Sequence, residues 1–200
     1  SKYIIPEDIV ELEKTFLFPL VKGKNIVKFG LKPSDLVVPF PYKKSNIKKP
    51  CDKIILSKES PKLLQYFLNH QSNIKAQTNF SEKIRGPNSG EFYGLARVGK
   101  YSFADYYVAF RDNTKWGAAV ISKSKTFWNE NKRMLFQNHA VSICEDSQGN
   151  FISEDEAHYI CSILNAPIVE KYIMHSSDER TFKIRVPIKI PKFDSKSKIH

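Results

Sequence analysis

Apolar residues along this chain gather in short runs between polar, proline-bearing or lysine-rich stretches, and each run predicts a short element. Pro6, Glu7 and Asp8 ahead of Ile9, Val10 and Leu12 predict a helix start with acids in its first turn. Residues 19–26 (PLVKGKNI) predict a brief extended piece that turns at Gly23. Residues 36–40 (LVVPF) predict a strand that lies at an edge or ends at Pro39. A lysine-rich loop bounded by prolines fills 41–50, and KIIL at 53–56 predicts another short strand. Ser60 and Pro61, as N-cap and first helical residue, open a helix with Leu63, Leu64, Phe67 and Leu68 at helical spacing, running to about residue 75. Residues 85–91 (RGPNSGE) are a loop.

The second half reads first as β. YYVAF at 106–110 and WGAAVI at 116–121 flank a hairpin turn at 111–115, and 134–136 and 139–144 predict one or two further strands. Residues 146–150 are a turn, and Ser153 with Glu156 forms a capping box ahead of Ala157, Ile160, Ile163 and Leu164 on one helix face. Asn165-Ala166-Pro167 interrupts, and a second helix carries Ile168, Val169, Tyr172 and Ile173. The chain closes on the extended run VPIKIPKF and a polar tail. No internal repeat or long linker breaks this order. It predicts an α+β fold of mixed small sheets with packed helices, one domain over 1–200 or two lobes, 1–85 and 86–200.

Composition narrows the class. At 200 residues, 41% apolar and 26% charged, the chain can bury a core and is not wholly disordered. No run reaches the roughly 18–20 apolar residues of a membrane span, and no signal-peptide pattern opens the chain. The first residue is Ser rather than Met, which fits a piece of a longer protein. Cys51, Cys144 and Cys161 are widely spaced with no CxxC, which argues against a zinc knuckle and for reduced thiols in the cytoplasm. Cys144 and Cys161 lie in apolar runs and are expected in the core.

Charge changes the picture more. The net charge is +11, and 26 Lys against 6 Arg supply it. Residues 22–62 carry +8, 83–133 carry +6 and 180–200 carry +6, whereas 134–179 carry −7. Such blocks suit a polyanion on one face, with the acidic stretch turned away. Within 92–128, cations alternate with aromatics, a mixture that suits phosphates and base faces.

Catalytic signatures are sparse. Neither GxxxxGK[ST], GxGxxG, HExxH nor GxSxG occurs, and the five His are scattered. Pro39-Phe40-Pro41-Tyr42 lacks the amide and adjacent prolines of an adenine-methyltransferase catalytic loop. The best enzymatic alternative is a metal-dependent nuclease with Glu130-Asn131-Lys132 as Glu-x-Lys and Asp112 or Asp105 as upstream ligand. An RNA- or protein-binding module is the other alternative.

The order of segments resembles the C-terminal target-recognition (specificity) domain of TaqI-like adenine-N6 DNA methyltransferases and fused type II restriction-modification enzymes. Lys22-Gly23-Lys24-Asn25-Ile26-Val27-Lys28-Phe29 matches its opening motif, Tyr93, Arg97 and Tyr101 its Y-x-x-x-R-x-x-x-Y segment, and Val108-Ala109-Phe110-Arg111 its apolar strand ending in Arg. HAVSIC and the helix over 158–173 follow in order, and Ser177–Phe182 with Ile190-Pro191-Lys192-Phe193 resembles the close. The resemblance spans roughly residues 15–194. It implies sequence-specific binding of double-stranded DNA, without catalysis or cofactor in this stretch. An upstream methyltransferase domain of the same polypeptide would hold S-adenosylmethionine. The candidate DNA contacts are Lys22, Lys24, Lys28, Lys43, Lys44, Arg97, Lys100, Tyr101, Arg111, Lys115, Lys123 and Arg180. Lys22, Lys24 and Lys28 serve either the DNA or the junction to the catalytic domain, and Arg180, after two acids, is either a contact or structural.

Overall fold

Asp52 and Ser153 each accept a backbone N–H three residues ahead, Ile55 at 2.8 Å and Glu156 at 3.2 Å, and so start helices. The computed structural model describes residues 7–76, 90–111, 115–137, 140–176 and 188–197. The fold is mixed α+β, with small sheets and, among the described residues, five α-helices. The chain divides into two compact units that interleave in sequence: Ser1–Leu17 with Pro39–Phe103, and Phe18–Val38 with Ala104–His200.

The first unit is helical. Helices α1 (Lys53–Glu59), α2 (Pro61–Asn69) and α3 (Gln71–Lys75) surround a core of Phe16, Cys51, Leu56, Leu63, Phe67, Phe92 and Tyr93. KIIL, expected as a strand, is the first turns of α1, because the Asp52 cap outweighs the β preference of two isoleucines. The helix expected from Pro6 does not form: residues 7–13 are irregular. Their acids serve another helix. Glu13 accepts the N–H groups of Lys62 (2.9 Å) and Leu63 (3.0 Å) at the start of α2, where the Ser60 side chain makes no cap bond. Burial works against the Glu13 charge, but the backbone N–H donors, Lys62 first, and the Lys62 ammonium outweigh it and hold the carboxyl below its ordinary pKa.

In the second unit β5 (Tyr107–Arg111) is central. It pairs antiparallel with β6 (Ala118–Ile121) and β10 (Ala140–Ile143), as the apolar runs predict. Alternate residues face opposite cores. Val108, Phe110 and Ala118 pack with Ala157, Cys161 and Leu164 of helix α4 (Glu154–Leu164) and Ile173 of helix α5 (Pro167–Ser176). Tyr107, Ala109, Ala119 and Ile121 pack with Val21, Ile26 and Cys144. Strands β1 (Leu17–Val21), β4 (Val37–Pro39) and β9 (Leu135–Phe136) form a sheet with β4 at its edge, ending at Pro39 as expected. Two hairpins complete the unit: β2 (Ile26–Val27) with β3 (Gly30–Leu31), and β7 (Lys123–Lys125) with β8 (Asn131–Arg133). The capping box of α4 has both of its bonds. All three cysteines are buried thiols.

One side chain fastens helix α4 to the sheet. The buried amide of Asn165 accepts the Ala118 N–H at 3.0 Å and donates to the Ala118 carbonyl at 2.8 Å, as a neighbouring strand would. Trp116 Nε1 donates to the Leu164 carbonyl at 2.7 Å beside it.

Asn165→Ala should lower unfolding free energy by about 1–3 kcal/mol, since the buried Ala118 N–H loses its partner while the Ala118 carbonyl keeps the Phe29 N–H; a denaturant midpoint within error of the parent would refute that role. Glu13→Ala should destabilise at neutral pH, because a depressed carboxyl contributes above its unfolded pKa. The gap to the parent should close as pH falls below about 4. Denaturant titrations across pH measure it, and a pH-independent gap would exclude the charge.

Candidate nucleic-acid interface

Most of the candidate cations lie at or beside three tight turns. These turns also carry every non-glycine residue with positive φ among the described residues: Phe29 (59°), Arg97 (57°) and Asn129 (66°). Asn tolerates this region, whereas for Phe and Arg it is a strained conformation costing on the order of 1–3 kcal/mol.

The first is the β2–β3 turn. Phe29 donates its N–H to the Ala118 carbonyl at 2.8 Å, and a Cβ added to Gly117 would come within 3.0 Å of the Lys28 backbone nitrogen. Only glycine allows this approach without a shift. Lys28 is thereby brought to the end of the β5–β6 hairpin that bears Arg111 and Lys115, segments some eighty residues apart. Lys24, Lys28 and Lys115 are exposed and Arg111 is half-buried. Lys22 is half-buried, and its N–H is held by Asn25 Oδ1 at 3.0 Å. The acidic stretch was expected to turn away from the basic residues, but α5 sends Glu170 to Lys28 at 2.5 Å.

The second turn, at Arg97, is in the first unit. Tyr93 is buried, donates to the Cys51 carbonyl at 2.9 Å and stacks on Phe67 at 4.7 Å. Tyr42 accepts the Leu95 N–H at 2.7 Å. The Tyr101 hydroxyl donates to the Arg97 carbonyl, and a Cβ on Gly99 would strike the Tyr101 ring at 2.7 Å. Three tyrosines thus brace the loop, and the Arg97 side chain projects exposed from it, near Lys100 in sequence. Tyr101, a candidate contact, is 44% exposed, while its hydroxyl is engaged by the Arg97 carbonyl. Lys43 and Lys44 lie in the loop over 41–50. Lys43 pairs with Glu59, and that hydrogen bond holds its ammonium above the ordinary lysine pKa. It lines a cleft of about 590 Å³ with Lys49, Lys53 and Lys75. Lys53 faces Glu91 at 3.8 Å and Lys75 lies over the Phe92 ring at 5.9 Å, so these charges are partly offset locally.

The third is the tip of β7–β8. Thr126 Oγ1 donates to the Glu130 carbonyl (2.9 Å) and accepts the Glu130 N–H (3.0 Å), and Asn129 donates its N–H to the Thr126 carbonyl (2.9 Å). Phe127 is 74% exposed on this closed loop, set edge-on against Trp128 at 4.6 Å. Lys123 and Lys125 are exposed on β7, Lys123 facing Asp105 at 3.7 Å. The head groups of Lys132 and Arg133 lie over the Phe18 ring, at 5.1 and 4.8 Å. Of this hairpin only Lys123 was a candidate contact. Lys125, two residues on and on the same face, was the available signal.

Arg180, Asp112 and the Ser177–Phe182 motif lie outside the described residues. The Glu-x-Lys pair of the nuclease alternative is on the third turn, with Glu130 and Lys132 3.5 Å apart. Among the described residues no three His, Cys, Asp or Glu side chains gather to hold a metal ion, and no helix is long and apolar enough to cross a membrane. No protein-family model matches the chain, and no curated protein matches it.

Proposed function

We propose that this chain is a target-recognition domain of a cytoplasmic restriction-modification system. It binds double-stranded DNA at a short specific site and holds it for an adenine-N6 methyltransferase domain of the same polypeptide. That domain would supply S-adenosylmethionine and flip the target base. This chain contributes phosphate contacts and base readout and no chemistry of its own.

The Arg97 turn carries the reading. A strained backbone, braced by three tyrosines, fixes the point from which the exposed Arg97 side chain leaves the loop. Strain of that kind is retained where it positions a functional group. A guanidinium carried on such a loop suits the paired O6 and N7 acceptors of guanine in a major groove. The corner of Lys24, Lys28, Arg111 and Lys115 supports it as a phosphate-binding surface, with Lys28 exchanging Glu170 for a phosphate when DNA is bound.

Duplex binding should weaken with salt, by about 0.9 log units per tenfold salt for each phosphate neutralised. Lys24→Ala and Lys115→Ala should each weaken all sequences alike and reduce that slope by about one. A flat salt dependence, or tighter binding to RNA of matched length, overturns the proposal. Arg97→Ala should cost about 1–3 kcal/mol on the preferred site and relax base preference at one position in a binding-site selection. Uniform weakening across sequences would remove Arg97 from the readout.

A further inference from the structure

The β7–β8 hairpin presents Phe127 to solvent more completely than any other aromatic side chain among the described residues. Nothing in the packing of the second unit requires that exposure. The Thr126–Glu130 hydrogen bonds close the loop whatever the side chain at 127, and the neighbouring Thr126 is buried. The ring stands edge-on against Trp128, with an interplanar angle of 89°.

The strands beneath it are basic. Lys123 sits directly across from Arg133 in the antiparallel register; Arg133 is drawn over the Phe18 ring, while Lys123 stays exposed and faces Asp105. Lys125, two residues nearer the tip, adds a second exposed cation on the same face. An exposed apolar ring at the apex of a closed two-stranded ribbon, with cations along its side, is the arrangement that opens a base step while neighbouring charges hold the phosphates. The cations also disfavour an apolar protein patch as the occupant.

Resting on the duplex-DNA reading above, we infer that Phe127 is a wedge. It enters one base step of the bound duplex and unstacks it, with Lys123 and Lys125 on the flanking phosphates. A phenyl ring has no hydrogen-bonding group, so it reads no base edge. It selects instead through the cost of opening the step, which is lowest at flexible pyrimidine–purine steps. Lys123 leaves Asp105 for a phosphate as the hairpin seats.

The experiment uses the 200-residue chain and a duplex selected by it from a random pool, with 2-aminopurine placed at each position in turn. Binding should raise fluorescence at one step. Phe127→Ala should abolish that rise and weaken binding about tenfold to a hundredfold, with the salt slope unchanged. Phe127→Leu, which keeps an apolar wedge, should retain most of the rise. Because the ring is exposed, circular dichroism and thermal melting of Phe127→Ala should match the parent. Salt-dependent duplex binding with no fluorescence change at any step, or a rise that survives Phe127→Ala, overturns the wedge and leaves the DNA-binding reading standing. Absence of duplex binding at low salt overturns both.

Discussion

The second unit depends on one side-chain amide. Asn165 ends helix α4 and offers Ala118 both a donor and an acceptor, so the first residue of β6 is paired with a helix terminus as if with a strand. Everything near Ala118 inherits this constraint. Its carbonyl also receives the Phe29 N–H, and its neighbour Gly117 admits the Lys28 backbone at contact distance. The helices, the central sheet and the β2–β3 turn therefore meet around one peptide, and the positions of Lys28, Arg111 and Lys115 follow from it. A basic corner is held in place by neutral hydrogen bonds deep behind it. Its geometry is thus insulated from the salt that would weaken its charges.

The same division of labour recurs in the other turns. Arg97 owes its position to Tyr42, Tyr93 and Tyr101, and Phe127 owes its position to Thr126 and Trp128. In each case uncharged groups fix the backbone, and the projecting side chain is left to the solvent. The positive φ values at Phe29, Arg97 and Asn129 mark where the backbone is most tightly dictated by its surroundings.

Much of this was legible in the chain. Ser153 and Glu156 announced α4 because capping is local chemistry with a fixed spacing. The runs at 106–110 and 116–121 announced β5 and β6 because a strand buried on both faces is apolar throughout. Helix α1 was misjudged because Ile54 and Ile55 suggest a strand, and the deciding residue, Asp52, lies outside the apolar run. The helix start expected from Pro6, Glu7 and Asp8 does not continue through residues 7–13, and the partners that engage Glu13 there, at 62 and 63, are about fifty residues away. Hairpin β7–β8 was invisible: Lys123 to Lys125 and Asn131 to Arg133 have no apolar alternation, and their turn is closed by Thr126 rather than by glycine. At the candidate site, basic residues could be named from composition, but the bracing tyrosines were indistinguishable from base-stacking ones.

The interleaving of the two units has a consequence for synthesis on the ribosome. Residues 18–38 belong with Ala104–His200, and the segment over 39–103 lies between them. When Ile26 and Phe29 emerge, the strand that will bury the one and accept a hydrogen bond from the other is still about ninety residues from being made. At typical elongation rates that is a wait on the order of ten seconds. During it an apolar, positively charged hairpin has no partner within its own chain, and only the helical unit can close around its core. The polar and lysine-rich character of residues 22–32 keeps such a nascent segment soluble until Ala118 arrives.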